Sequence, residues 1–244
     1  MSPSFTICAR EFKGYFDTPV ASVFMVIFLL LSGIFTFYVG HFFEQGNANL
    51  EPFFEGHPWL YLFLMPALSM RLWAEERRVG TFELLMTLPV TVWQAVWGKF
   101  LAAWCFALLN LSLTFPIWIT VNYLGHPDNG VIIAGYLASS LVAASFLALG
   151  GCISALCRSQ VVAFIISVTL CFLWMLTGFP LVVGFFESLS LPQIFMDTLS
   201  NFSINTNFSD MSKGLINLRQ LLYFCSFIAM WLYMTVLIVS GRRS

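Results

Sequence analysis

Between residue 20 and residue 240 the chain returns again and again to long apolar runs, and no other feature limits its possible folds so strongly. Six runs stand out: 20–40, 57–73, 92–123, 131–156, 161–186 and 219–240. About 20 apolar residues carry a helix across the hydrocarbon of a bilayer. A helix also satisfies its own backbone polar groups there, as few other structures can. The second run is the shortest and contains Pro66, whereas the third is longer than a bilayer needs, so its first turns belong to the interface or to water. Pro116 and the Gly178-Phe179-Pro180 step interrupt the third and fifth runs. A proline there frees the carbonyl four residues earlier, such as that of Ser112, and makes a packing kink or a hinge. The expected fold is all-α: one polytopic membrane domain, 1–244, with six transmembrane helices.

Composition agrees. Of 244 residues 59% are hydrophobic and only 9% charged, against about 25% charged in a soluble domain. That excludes a soluble enzyme, a nucleic-acid binder and a disordered chain. The first run is long and follows some twenty residues of amphipathic sequence, which reads as a span and not as a cleavable leader. Six Cys lie near the N-terminus or in apolar runs with no CxxC or Cys/His spacing, so they read as small buried hydrophobes.

Orientation follows from Lys and Arg. With both termini in the cytoplasm, Arg10, Lys13, Arg71, Arg77, Arg78, Lys99, Arg158, Arg242 and Arg243 are inside, and only Lys213 and Arg219 are outside. No charge is expected near the middle of a span. Lys99 lies close enough to the inner boundary to snorkel, and His41, His57 and His126 map to the outer edge as solvated residues. Proton-driven transporters need a titratable group at depth and voltage sensors an Arg ladder; neither is present in this pattern. Energy then comes from elsewhere, or the chain conducts passively, or it scaffolds.

The segments assigned to the cytoplasm carry more information. In 1–19, Phe5, Cys8, Ala9, Phe12 and Phe16 recur at helical spacing opposite Arg10, Lys13 and Asp17, and Pro19 ends the pattern. This predicts an amphipathic elbow helix in the inner interface. Segment 74–91 is the densest polar stretch, running from Glu75-Glu76-Arg77-Arg78 through Gly80 to Thr91. Gly80 permits a sharp turn, Thr81 caps a new helix, and Glu83 suits its first turn. Phe82, Leu85, Met86 and Pro89 form one stripe, with Pro89 stopping the helix after about two turns. Thr91-Val-Trp-Gln94 is a capping box that opens the third span. A short capped helix between two spans suits a soluble partner, though it also fits a merely structured loop.

Residues Glu76-x-x-x-Gly80-Thr81-x-Glu83-x-Leu85-x-x-x-Pro89-Val90-Thr91, followed by Gly98-Lys99, closely resemble the inner-loop signature of type-2 ABC exporter permeases, and most of all their GldF-like, gliding-motility-associated branch. The stretch from Ser154 to Ala163 is similar to that family's turn between the fourth and fifth spans. Residues 208–223, with Lys213-Gly214 and Arg219, look like its outer segment, although Asn217 and Gln220 stand where such chains often carry Asp.

The resemblance implies a permease subunit of the bacterial inner membrane that pairs with a second permease copy or a homologous permease. It would dock on a separate ABC ATP-binding subunit through a coupling helix, here 81–88. Phe82, Leu85 and Met86 would enter a cleft of that partner, while Glu83 and the Glu76, Arg77, Arg78 cluster orient the contact. No G-x-x-x-x-G-K-[ST] loop occurs, so no ATP cradle is expected on this chain; ATP and Mg would sit on the partner, and no cofactor or metal on this subunit. Arg158 in a tight inner turn fits topology better than coupling. Outer loop 187–218 carries Phe195, Met196, Leu199, Phe202, Ile204 and Phe208 among polar residues, as in short helices on the outer interface. Two other readings stay open: a scaffold that recruits a soluble protein without moving a solute, and a secondary transporter. An embedded enzyme lacks a converging titratable cluster.

Overall fold

The computed structural model describes residues 3–17, 19–44, 49–80, 90–179, 182, 184 and 202–241. In chain order its helices are α1 (Pro3–Phe16), α2 (Pro19–Ile34) running into a π-helical turn (Phe35–Val39), α3 (Glu51–Glu55), α4 (His57–Ser69) and α5 (Arg71–Val79). There follow α6 (Val92–Ser112), α7 (Phe115–Leu124), α8 (Asn129–Leu156), α9 (Gln160–Leu176), α10 (Ile204–Ser212) and α11 (Leu218–Ser240). Among the described residues there is no β-strand.

Among the described residues four stretches are long and apolar enough to cross a membrane: Ala21–Val39, Val92–Leu124, Asn129–Leu156 and Leu218–Ser240. The expectation of six is therefore met only in part. Most of 180–186 lies outside the described residues, and the fifth run is helical for 17 residues, to Leu176. There the Thr177 hydroxyl donates to the Trp174 carbonyl, and a Cβ on Gly178 would collide with Ser203. The second run is a 13-residue helix, α4, that breaks at Met70 and resumes as α5. Much of its apolar composition serves the core: Leu60, Tyr61, Leu62, Leu64, Met65 and Leu68 are buried inside the bundle, while Trp59 and Phe63 stay exposed. The third run bends as its proline requires, α6 ending at Ser112 and α7 starting with Pro116 in its first turn.

Helix α8 is the axis of the assembly, packing against α4, α5, α6, α9, α10 and α11. Its sequence explains the position. Ala138, Ser139, Ala143, Ala144, Ala148, Gly150, Ser154 and Ala155 are buried along it, and small residues let helix backbones approach where no hydrophobic force draws them together. A Cβ on Gly150 would lie 2.0 Å from the Ser69 hydroxyl of α4, and one on Gly135 would lie 2.4 Å from the Phe54 ring of α3. By contrast α2 exposes Val23, Val26, Ile27, Leu29, Leu30 and Ile34, as a helix facing hydrocarbon does.

One expectation for the end of the bundle far from α1 is corrected. His57 is not solvated: it is 1% exposed, its Nδ1 is 2.9 Å from the Ser139 hydroxyl, and its ring stacks on Tyr61 at 5.3 Å. His41 and His126 are exposed as expected. The short helix α10 lies inside the expected outer loop and turns its apolar side to the bundle. Ile204, Phe208 and Met211 recur at one-turn spacing and are buried, and the helix packs against α8. Residues 187–201 of that loop lie outside the described residues.

We expect Gly150→Val to overpack the α4–α8 contact by about 1–3 kcal/mol and to lower the midpoint of thermal unfolding in detergent. Gly33→Ala, whose new Cβ meets no atom within 4 Å, leaves that midpoint unchanged.

Candidate functional site

At the α1 end of the bundle three helices converge on one buried cation. Lys99 occupies the eighth position of α6, counted from Val92, and is 2% exposed. An ammonium so placed cannot keep a hydration shell, and desolvating it without a partner would be prohibitive. Its partners come from two other helices. Glu76 of α5 lies 2.7 Å from Nζ and Glu11 of α1 lies 3.4 Å away. The Trp73 ring of α5 is 5.4 Å from the same nitrogen, within cation–π range. Arg10 pairs with Glu11 at 2.9 Å, so both carboxylates in the cluster face positive charge. The snorkelling expected of Lys99 is thus replaced by an internal ion cluster.

The sequence explains how α1 delivers Glu11. Ile7, Glu11 and Tyr15 recur every four residues, and this stripe is the more deeply buried against α6, beside which Phe16 also meets Phe106 edge-on at 6.0 Å. Ile7 is buried while Phe5 and Phe16 stay about half exposed, and Tyr15 stacks on Phe106 at 5.0 Å. Gly98, next to Lys99, lets α1 come close: a Cβ there would lie 2.8 Å from the Ile7 side chain and 3.0 Å from the Ser4 carbonyl. Burial alone would raise the Glu11 pKa, but the Lys99 and Arg10 charges outweigh it and hold the carboxyl below its ordinary value. Cys8 also meets Cys105 of α6; burial first, and that thiol second, raise its pKa.

Helix α5 is held from a second side. At the Met70 break the Ser154 hydroxyl of α8 accepts from the backbone N–H groups of Trp73 and Ala74, each at 3.1 Å, and donates to the Met70 carbonyl at 2.9 Å. A residue of another helix thereby caps α5, a task usually done by the preceding residue of the same chain segment. Along its exposed side Arg71 donates from Nε to Glu75 at 2.8 Å, and Arg78 reaches Glu75 at 3.9 Å. Gly80 ends the helix in the left-handed conformation, φ 77°, and its N–H bonds the Glu76 carbonyl. Thr91 and Gln94 make the expected reciprocal capping box at the start of α6.

Of the residues expected to meet a partner, Glu76 is turned inward on Lys99, Arg77 is half-buried, and Arg78 and Gly80 are exposed. Thr81, Phe82, Glu83, Leu85, Met86 and Pro89, with the expected helix 81–88, lie outside the described residues. Lys99, Glu11, Trp73 and Ser154 escaped the sequence reading as a cluster. One signal was present: a Glu on the Ile7–Tyr15 stripe and a Lys two turns inside an apolar helix each require an opposite charge. At the far end Asn217 and Gln220, where the resemblance suggested Asp, form a reciprocal cap for α11, and Gln220 donates to Asp210 at 3.2 Å.

Residues 60–243 match the family described as ABC-2 family transporter protein. The match covers most of the chain, which therefore belongs to the ABC-2 transporter family and is a multi-pass membrane component of transport. No curated protein matches the chain by sequence. The matched region contains Glu76, Lys99 and Ser154 but begins after Glu11.

Removing one member of a buried ion pair costs about 3–5 kcal/mol where the other is left uncompensated, so Lys99→Ala lowers the thermal midpoint strongly, whereas Arg78→Gln at the exposed pair does not. Ser154→Ala removes the cap and costs about 1–3 kcal/mol. Because the Glu11 pKa is depressed in the fold, its contribution is complete above the ordinary 4.5 and is lost as pH falls through the lower value. Acid unfolding of Glu11→Gln is accordingly less steep in that window than that of the wild type.

Proposed function

We propose that the chain is the membrane-spanning permease subunit of an ATP-binding-cassette exporter, related to the GldF-like branch, that moves its substrate with ATP hydrolysed on a separate subunit. The observation that carries this reading is the pair of fixed ends that flank residues 81–89. Helix α5 is gripped by Lys99 and capped by Ser154 and ends at the left-handed Gly80, and α6 starts from the capped Thr91. A short segment held between two such ends suits the transfer of force from a soluble partner. Membership of the ABC-2 family supports the same reading, as such permeases work with an ATP-binding subunit.

In this reading 81–88 is the coupling helix. Phe82, Leu85 and Met86 fill the partner's cleft, Glu83 and Arg78 set its orientation, and Gly80 and Pro89 delimit the helix. Glu76 and Arg77 act from the root of the segment. Both termini are cytoplasmic in a bacterial inner membrane, as the Lys and Arg distribution favours. Two permease chains pair in the bilayer. The partner holds ATP and Mg, and no catalytic residue, cofactor or metal is assigned to this chain.

The test uses the permease with a P-loop ATPase sought in the neighbouring reading frames. The pair copurifies, and Leu85→Glu reduces the recovered ATPase about tenfold or more, as loss of a central apolar anchor does. In proteoliposomes substrate movement requires hydrolysable ATP. Recruitment of the ATPase without any such movement would favour a scaffold, and movement driven by an ion gradient in the absence of the ATPase would favour a secondary transporter.

A further inference from the structure

Lys99 has two carboxylates within reach, and they belong to parts of the molecule with different attachments. Glu76 sits at the root of segment 74–91, four residues before Gly80. Glu11 sits on α1, which is docked on α6 and does not lead into that segment. The distances are unequal, 2.7 Å to Glu76 and 3.4 Å to Glu11, so both contacts are made and the one to Glu76 is the shorter. A single buried pair would resist any pull on Glu76, because parting would strand an ammonium in a site that is 2% exposed. A second carboxylate changes that, since the charge is never left alone.

We infer that Lys99 is a two-seat switch residue: in the state described here it is shared between Glu76, which ties it to α5, and Glu11, and it passes wholly to Glu11 when Glu76 is drawn away with α5. Lys99 is a positioning residue in this scheme, touching no substrate or nucleotide. The inference rests on the proposed coupling to an ATPase for its use, but the two seats belong to the permease alone. The Glu11 seat lies outside the region that matches the family, so this half of the device is read from the geometry of this chain.

The first arm needs only the purified permease in lipid nanodiscs. Thermal midpoints are measured for Glu11→Gln, Glu76→Gln and the double variant. With two seats, each single variant leaves Lys99 one partner and loses little, and the double variant loses clearly more than the sum, because both seats are then gone. Additive losses would overturn the two-seat geometry.

The second arm measures stimulation of the partner ATPase in the reconstituted complex. Glu11→Gln keeps the 2.7 Å contact and the copurification of the ATPase, yet lowers stimulation about tenfold, because Lys99 has nowhere to go. Glu11→Asp, which retains the charge, recovers most of it. A merely structural cluster predicts unchanged stimulation in Glu11→Gln, and that result would overturn the switch. Should the wild-type permease neither bind nor stimulate the ATPase, the proposed function fails while the outcome of the first arm stands.

Discussion

A lysine side chain sealed from water inside an apolar helix end dictates most of the architecture around it. The charge of Lys99 must be met, and the helices that meet it are thereby fixed. Helix α1 brings Glu11, α5 brings Glu76 and the Trp73 face, and Gly98 opens the space for the approach. Ser154 then ties α5 to α8 at the Met70 break. The α1 end is therefore one mechanical piece, although it is assembled from four helices far apart in the chain.

That piece is joined to a bundle whose centre is made of very little side chain. Helix α8 offers Ala, Ser and Gly to nearly every neighbour, so backbones pack closely and a shift of α5 is felt along α8 through Ser154 and the tight Gly150–Ser69 contact. Rigid helices with few compressible side chains between them move as bodies. A force applied at 74–91 would reach the far end, where α10 and the Trp174 cluster lie against α8 and α9, with Trp174 donating to the Phe202 carbonyl.

Local chemistry was legible from the chain where the reason for it is local. Thr91 and Gln94 cap each other because both partners lie within one turn, Gly80 ends a helix because only glycine takes that φ without strain, and Pro116 begins α7 because its ring fits a first turn. Non-local facts were misread or missed. The 57–73 run reads as uniformly apolar because core and lipid demand the same residues; only its neighbours reveal how much of it is core. His57 looks like an edge residue until Ser139 and Tyr61 enclose it. The amphipathic pattern of α1 was legible, but not that Ile7 and Glu11 are its most closely docked residues, since Gly98 of another helix decides that.

From the order of residues alone came the membrane as solvent, the helical class, the capped and broken helix ends, and the likeness to transport permeases, because hydropathy and turn chemistry act over a few residues. Tertiary structure decided that Lys99 is a buried partner of Glu11 and Glu76, that Ser154 caps a helix not its own, and that much of the second run packs into the core. Those facts depend on groups distant in sequence meeting in a low-dielectric space, where a charge or an open N–H has no water to fall back on.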